Sequence, residues 1–334
     1  MMKKLSCLLL ALALILCALA AHAEPIELVD QTGRAVTLES VPERIVSGYY
    51  ISTSACIALG LTDRMVAIEA KAATRNIYKL AAPQLLELPN VGTAKSFDLE
   101  ACLAAEPDLV ILPKRLSDAA DALAEFGIPA LLVDPEDAQR LNDMLLLIGQ
   151  VRGEVLGEPK RAQDLVDFID GHLDDLAQTL SLQDVTPVTA MMLGNSDRMT
   201  CAAADMYQST VLSQAGAVNA VQELTGGDFA AFSYEELLVW NPQVIIVPPE
   251  AAYTVEDILS DPELAAIDAV QNGAVYQMPR DFEAWDSPVP SGVLGTLWLA
   301  STLYPDAYPR ELYIQAAKDL YETFYGFTPD EALL

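Results

Sequence analysis

Two stretches of the chain are near copies: FDLEACLAAEPDLVIL at residues 97–112 and FSYEELLVWNPQVIIV at residues 232–247. Aligned, they share Phe, the first Glu, a Leu, the Pro and an Ile. In each copy a capping residue, Asp98 or Ser233, precedes a short helical segment. The shared Pro ends that helix, and an apolar run typical of a buried strand follows. The repeat predicts one helix–turn–strand unit used twice.

Apolar runs of strand length alternate with helical patterns on both sides of each copy. The predicted strands are 44–48, 65–70, 109–112, 130–133, 188–193, 244–247 and 274–278, after a hairpin at 26–42; the predicted helices are 98–105, 116–126, 136–150, 207–215, 234–240, 255–260, 292–303 and 309–325. Such alternation is typical of parallel α/β sheets. We therefore predict an α/β fold of two lobes, each with a central parallel sheet flanked by helices.

A single long helix is predicted between the two halves. Apolar residues recur at helical spacing at 165, 169, 173, 176 and 180, with charged residues on the other faces. The chain of 334 residues is long enough for two lobes. The predicted divisions are an N-terminal lobe at 24–153, a connecting helix at 154–183 and a C-terminal lobe at 184–334.

Residues 1–23 have the composition of a secretion signal. Two lysines precede an apolar run, and Ala-His-Ala at 21–23 is a cleavage motif. The run is too short to span a membrane permanently. We predict cleavage after Ala23 and a periplasmic or other extracytoplasmic location. Lipid attachment at Cys17 is the less favoured alternative, because Leu16 stands where lipoprotein signals have a small residue.

Charge and cysteine content narrow the class of protein. The net charge of −29 disfavours binding to nucleic acids or anionic membranes, because phosphate groups would be repelled. Only three cysteines follow Ala23: Cys56, Cys102 and Cys201. Their odd number and wide spacing predict buried thiols rather than a disulfide framework.

From about residue 42 to 310 the ordered segments resemble one known family, the class III substrate-binding proteins of ABC importers for ferric siderophores, haem and cobalamin. The matching stretches include RIVSGYYISTSACIALGLTDRMVAI from Arg44, the two repeat copies, GIPALLVD from Gly127 and the long helix. The resemblance implies two lobes with a ligand cleft between them, bridged by a stiff helix. It also implies a binding protein rather than an enzyme.

In that family a surface Glu on each lobe docks into arginines of the membrane permease. These positions correspond to Glu100 and Glu235, the matched acids of the repeat. Two carboxylates at equivalent places would give a two-point electrostatic register. The alternative is that each acid only faces the positive end of its helix dipole. We expect an ABC permease dimer as the partner and a monomeric binding protein.

Ligands of parallel sheets bind beyond the carboxyl ends of the strands. Eight of the 17 Lys and Arg residues that follow Ala23 fall in such loops, interleaved with aromatic residues. This pattern suits a flat anionic ligand through stacking and cation–π contacts. The predicted ligand-binding residues are Tyr49, Tyr50, Arg75, Lys95, Arg115, Arg198, Tyr253, Arg280 and Trp285.

The favoured ligand is a ferric siderophore. Cobalamin, haem and an oxyanion such as molybdate stay as alternatives. No direct metal ligands and no cofactor are predicted, because His172 is the one histidine after Ala23 and no Cys or His cluster occurs. Nucleophile and nucleotide-binding motifs are missing from the sequence. A secreted hydrolase that uses carboxylates is the alternative of another class, and a structural adaptor is a third.

Overall fold

A computed structural model describes residues 25–151 and 160–334. The predicted signal peptide, its cleavage position and the first residues of the predicted connecting helix lie outside that range. The strands are β1 (Ile26–Val29), β2 (Ala35–Leu38), β3 (Ile45–Ser47), β4 (Met65–Ala67), β5 (Gly92–Thr93), β6 (Ser96–Phe97), β7 (Leu109–Pro113), β8 (Ala130–Val133), β9 (Thr189–Met192), β10 (Thr200–Ala202), β11 (Val218–Asn219), β12 (Phe229–Ala231), β13 (Val244–Val247) and β14 (Val275–Gln277).

The helices alternate with these strands through both halves of the chain. They are α1 (Tyr50–Ala58), α2 (Asn76–Ala81), α3 (Leu99–Ala104), α4 (Ser117–Glu125), α5 (Ala138–Val151), α6 (Arg161–Leu182), α7 (Tyr207–Gln214), α8 (Tyr234–Trp240), α9 (Val255–Leu259), α10 (Asp268–Gln271), α11 (Val293–Leu303) and α12 (Arg310–Leu320).

Each lobe is built on a four-stranded parallel sheet. The strand order is β4-β3-β7-β8 in the N-terminal lobe and β11-β9-β13-β14 in the C-terminal lobe. Both copies of the sequence repeat therefore end in the third strand of their sheet, β7 or β13. This confirms the predicted α/β class with two parallel-sheet lobes and one shared supersecondary unit.

Side chains along each strand alternate between two apolar layers, as the pleat requires. In β7, Leu109 and Ile111 contact one core cluster, whereas Val110 and Leu112 contact another. The strand β13 behaves in the same way. One face of each sheet packs on an apolar core common to both lobes, and the opposite face packs on a smaller core of its own.

The helix α6 lies within the shared core. Its 22 residues extend about 33 Å at 1.5 Å per residue. The buried positions Leu165, Ile169, Leu176 and Leu180 belong to the predicted apolar stripe and pack among residues of both lobes. The helix is confirmed over Arg161–Leu182, while the exact lobe boundaries stay a prediction.

Local capping explains where the repeat helices begin. Asp98 accepts a hydrogen bond from the Ala101 amide at 2.9 Å. Ser233 and Glu236 form a reciprocal capping box, as predicted. The three described cysteines are buried and free, also as predicted.

Several predicted boundaries differ from the observed ones. Strand β4 ends at Ala67. Ile68 makes only an isolated bridge to Asn90, and the Glu69 side chain points into a buried cluster of polar residues that includes Tyr78. The last predicted helix, 309–325, is α-helical only to Leu320 and continues as a wider π-turn. The antiparallel pair β10–β12 was not predicted, since each strand has only three residues.

Candidate ligand-binding cleft between the lobes

A cavity of about 280 Å³ opens between the two lobes. The N-terminal lobe contributes the start of α1 and the loop after β8. The C-terminal lobe contributes the start of α7, the β12 strand and the loops after β9, β13 and β14. The lining residues are Tyr49, Tyr50, Ile51, Pro135, Glu136, Asn195, Asp205, Met206, Tyr207, Gln208, Gly227, Phe229, Glu250, Asp286, Ser287 and Pro288. We call this space the cleft cavity.

Tyr49 and Tyr50 reach the cleft cavity from the junction between β3 and α1. At Gly48 a Cβ atom would lie 2.6 Å from Leu112 Cδ2, so the close turn into α1 favours glycine. The two tyrosine rings meet edge to face with centroids 5.5 Å apart. Burial raises the pKa of Tyr49 to about 12, although the neighbouring Arg115 guanidinium acts in the opposite direction.

The hydroxyl of Tyr50 links the two lobes by donating to Ser287 Oγ at 2.8 Å. Burial raises the pKa of Tyr50 far above its usual range, so this phenol stays protonated. The Arg75 guanidinium lies 4.3 Å from the centroid of the same ring. Arg75 also forms an ion pair with Glu250 of the opposite lobe.

A second, smaller cavity of about 40 Å³ lies beside the first. Tyr50 and Glu250 border both cavities, and Arg75, Arg280 and Glu283 border only the smaller one. Arg75 lines the smaller cavity and contacts the Tyr50 ring of its own lobe and the Glu250 carboxylate of the other.

Glu283 forms the third contact between the lobes. Its carboxylate accepts hydrogen bonds from Ser54 of the N-terminal lobe and from Ser291 and Tyr325 of its own lobe. The side chain is 6% exposed, and burial raises its pKa to about 7.

Another buried acid, Glu69, lies on the N-terminal side of the same interface. It accepts hydrogen bonds from Thr53 and, at 2.6 Å, from the Tyr78 hydroxyl. Burial raises the pKa of Glu69, while these two hydroxyls and the charge of Arg75 act against the rise.

The structure brings only some of the predicted ligand residues to the cavities. Tyr49 and Tyr50 line the cleft cavity, whereas Arg75 and Arg280 line the smaller one. Arg115 lies close enough to Tyr49 for its positive charge to act on the phenol.

Three other predicted ligand residues lie elsewhere. Lys95 is exposed in the β5–β6 hairpin. Arg198 pairs with Asp261 at 2.9 Å, and the Tyr253 hydroxyl donates to the Gly194 carbonyl at 2.6 Å. None of the three belongs to the lining of the two cavities described above. Their participation in ligand binding stays a prediction.

The prediction that Trp285 faces the ligand is wrong. Its side chain is 0% exposed, and its indole N–H donates to the Tyr321 hydroxyl at 2.9 Å. The ring stacks with Phe282, and Gly295 packs directly against the Trp285 backbone. Trp285 is a core residue because the loop after β14 folds inward under α11.

The cleft is also more acidic than the sequence pattern indicated. Lys114 pairs with Asp134 and Glu136, and Arg75 pairs with Glu250, so neighbouring carboxylates balance these two cations. The cleft cavity itself is lined by four acids, namely Glu136, Asp205, Glu250 and Asp286. The sequence signal that was missed is the run of acids in DFEAWDSP, which follows a strand that ends at the cleft.

Glu100 and Glu235 occupy equivalent positions in the first turns of α3 and α8. Both side chains are exposed. Within residues 25–151 and 160–334, neither carboxylate makes an ion pair. Glu236 caps α8, which leaves Glu235 without that structural role.

None of the helices within residues 25–151 and 160–334 has the length and hydrophobicity needed to span a membrane. No group of three or more His, Cys, Asp or Glu side chains among the same residues could hold a metal ion.

Known proteins share this architecture. The periplasmic binding protein family matches residues 45–282. The molybdate-binding protein MolA of Haemophilus influenzae is 27% identical over 98% of this chain and 99% of its own length. The solved structure of MolA bound to molybdate superimposes with a TM-score of 0.77, covering 91% of this chain and 99% of that one at 24% identity.

Two further relatives are more distant. A vitamin B12-binding protein of Pectobacterium atrosepticum is 23% identical over 62% of this chain and 72% of its own length. Helicobacter pylori CeuE, solved with nickel and histidine, has a TM-score of 0.77 at 19% identity, covers 92% of this chain and 97% of its own, and shows the fold alone. These homologues and their fold are those of solute-binding proteins, not enzymes. The chain therefore belongs to the periplasmic binding protein family, as a substrate-binding component of an ABC importer.

Proposed function

We propose that this protein captures a metal chelate, with a ferric siderophore as the favoured cargo, and delivers it to a membrane permease. The observation that carries the proposal is the aromatic lining of the cleft cavity by Tyr49, Tyr50, Tyr207 and Phe229. Aromatic faces bind the flat organic surface of a chelate, whereas a bare metal ion would need a cluster of ligating side chains.

The charges of the cleft favour a chelate over a small oxyanion. Glu250 forms an ion pair with Arg75, and further carboxylates line the cleft cavity. A doubly charged oxyanion would face repulsion from these acids at short range. A chelate spreads its charge over many atoms and fills more of the 280 Å³.

An oxyanion such as molybdate is the second candidate. It is supported by the near full-length similarity to a molybdate-binding protein at 27% identity. Cobalamin and haem are further alternatives, and the similarity to a vitamin B12-binding protein supports the first of these.

Titration calorimetry on residues 24–334 would test the proposal. The panel should contain ferric hydroxamates, ferric catecholates, ferric citrate, haem, cobalamin and molybdate. We expect saturable binding of a ferric chelate, weakened about tenfold by Tyr49→Ala. The matched variant Tyr276→Ala removes a tyrosine of β14 that lines neither cavity and should bind like the wild type. Tight binding of molybdate alone would overturn the chelate assignment while retaining the transport role.

Docking to the permease is proposed to use Glu100 and Glu235. Their matched positions and their exposure support this role, because exposed carboxylates on two lobes suit a partner with two basic pockets. We further propose a monomeric protein that is released after Ala23, with lipid attachment at Cys17 as the alternative.

A further inference from the structure

Three side chains that line the cleft cavity each have a buried oxygen atom with no hydrogen-bond partner among the described residues. The atoms are Asn195 Oδ1, Gln208 Oε1 and Asp286 Oδ1, and all three residues line the cavity from the C-terminal lobe. Asp286 is 1% exposed and Gln208 is 6% exposed. Polar atoms buried to this extent are nearly always hydrogen-bonded in folded proteins, so three such residues around one cavity point to a partner that the protein itself does not supply.

The orientation of Gln208 shows that the wall presents acceptors. Its side chain lies close to the Asp286 carboxyl group and favours the ionised form of that group. An amide favours a neighbouring carboxylate through its NH₂ donors, so the NH₂ group of Gln208 is directed towards Asp286. The amide oxygen Oε1 is then the atom left unpaired. Asp286 and Gln208 together form a buried pair with one unsatisfied acceptor on each side chain.

Leaving these acceptors unpaired is unfavourable. Each buried polar atom without a partner lowers the stability of the fold, and a charged one lowers it more. The nearby Glu250 adds negative charge to the same wall, and the positive charge of Arg75 opposes it only in part because Arg75 is paired with Glu250. A group that brings hydrogen atoms and positive charge would satisfy the site.

We propose that the bound ligand inserts a primary ammonium group against Asp286, Gln208 and Asn195. An ammonium has three N–H donors, which equals the number of unpaired acceptors. The inference rests on the proposed function and narrows the cargo to a chelate that bears a free amino group. An oxyanion offers only acceptors to this wall and would leave all three oxygen atoms unpaired.

Paired probes test the charge of the ligand directly. Ferrioxamine B is a ferric trihydroxamate with a terminal ammonium, and its N-acetylated derivative has the same chelate without that charge. We expect the wild-type protein to bind the ammonium form at least tenfold more tightly than the acetylated form. Asp286→Asn should reduce this ratio to about one. Glu256→Gln, an exposed acid of the same lobe that lines neither cavity, is the matched control and should keep the ratio.

Proton linkage gives a second measurement that needs no variant. Burial and the neighbouring Glu250 raise the pKa of Asp286 to about 7. The other charged or titratable groups that interact with Asp286 are Arg75, Tyr50 and Tyr207. An arriving ammonium favours the ionised carboxylate, so binding near pH 7 should release protons. The dependence of the binding enthalpy on buffer ionisation enthalpy measures that release.

The outcomes separate this inference from the proposed function. Equal affinity for the two hydroxamate probes, proton uptake on binding, or unchanged selectivity in Asp286→Asn would overturn the ammonium assignment alone. Tighter molybdate binding by Asp286→Asn would do the same and favour an oxyanion. If the wild-type protein bound none of the probes in the chelate panel, the proposed function would be overturned, and the ammonium inference with it.

Discussion

The two lobes share one architecture but divide the chemistry of the cleft between them. Within residues 25–151 and 160–334, polar side-chain contacts cross the interface from Tyr50 to Ser287, from Arg75 to Glu250 and from Ser54 to Glu283, and in each the N-terminal lobe is the donor. The C-terminal wall supplies the acceptors. Equivalent sheets thus carry complementary surfaces.

The difference shows which parts of a repeated unit are constrained. Strand order and the helix–turn–strand repeat are set by burial, so both lobes retain them. The loops at the carboxyl ends of the strands do not have to follow the regular pattern of the sheet and are free to differ. Complementary polar loops hold the lobes in register, and a ligand can compete for the same groups.

Reversing charge in both repeat copies should produce the largest effect. The double variant Glu100→Arg/Glu235→Arg should reduce ligand uptake in cells to the level without the binding protein, because basic permease pockets would repel both lobes. Ligand affinity of the purified protein, measured by calorimetry, should stay unchanged.

The single variants Glu100→Arg and Glu235→Arg test the two repeat copies separately. Glu236→Gln, next to Glu235, is the matched control because it keeps an acceptor for the α8 cap. Loss of ligand affinity in the double variant, or normal uptake by it, would contradict a docking role for these acids.

Removal of the central acceptor should cost less but still be large. Glu283→Ala would leave Ser54, Ser291 and Tyr325 without their shared acceptor, and we expect a loss of about 3 kcal/mol in the free energy of unfolding. Urea denaturation measures this change. Glu283→Gln keeps one acceptor oxygen and should cost only about 1 kcal/mol; equal stability of Glu283→Ala and the wild type would rule out a structural role for this contact.

Much of the architecture followed from short patterns. The sheets, the capping of the repeat helices and the long helix all depend on local periodicity and on single capping residues, which are visible in the sequence. Small strands such as β10 and β12 were missed because three residues carry too little periodic signal.

The site was harder to predict because it depends on which side chains meet across the lobes. Basic residues were visible in the loops, but their carboxylate partners come from distant segments: Glu250 lies 175 positions from Arg75. Trp285 follows a strand, as cleft residues do, yet the inward fold of its loop buries it. Tyr49 and Tyr50 were found because they directly follow the first strand of a parallel sheet.

The buried acids Glu283 and Asp286 should also make the free energy of unfolding depend on pH. Burial raises the pKa of Glu283 from 4.5, and that of Asp286 from 3.8, to about 7. The folded state therefore binds more protons than the unfolded state between about pH 4 and 7, so the free energy of unfolding should fall as pH rises through that window. Above pH 7 both carboxyl groups are ionised in the folded state, so the full free-energy cost of burying these charges is present.

A variant pair isolates this contribution from the other acids of the chain. In the double variant Glu283→Gln/Asp286→Asn, the free energy of unfolding should fall less steeply with pH. The slope should be smaller by up to about 1.4 kcal/mol per pH unit for each replaced group. Urea unfolding at pH 5, 6 and 7 measures the slope. Identical slopes in the wild type and the double variant would show that these two acids titrate normally.

The smallest effect is expected from removing a donor of the N-terminal lobe at the interface. Tyr50→Phe removes the hydroxyl that donates to Ser287 but keeps the ring under Arg75, so we expect a loss of about 1 kcal/mol in the free energy of unfolding. Tyr276→Phe, a tyrosine of β14 away from the interface contacts, provides a comparison for removing a phenol. A stability change no larger than in that comparison would mean that the Tyr50 hydroxyl contributes nothing to joining the lobes.

The apolar core common to both sheets makes the two lobes a single folding unit. One face of each sheet packs into the same apolar cluster, which also contains residues of α6, so we expect that neither half could bury its apolar surface alone. Heating should therefore produce one cooperative transition in scanning calorimetry, with equal calorimetric and van't Hoff enthalpies. A molecule with two lobes and one ligand cleft would thus behave as one thermodynamic domain.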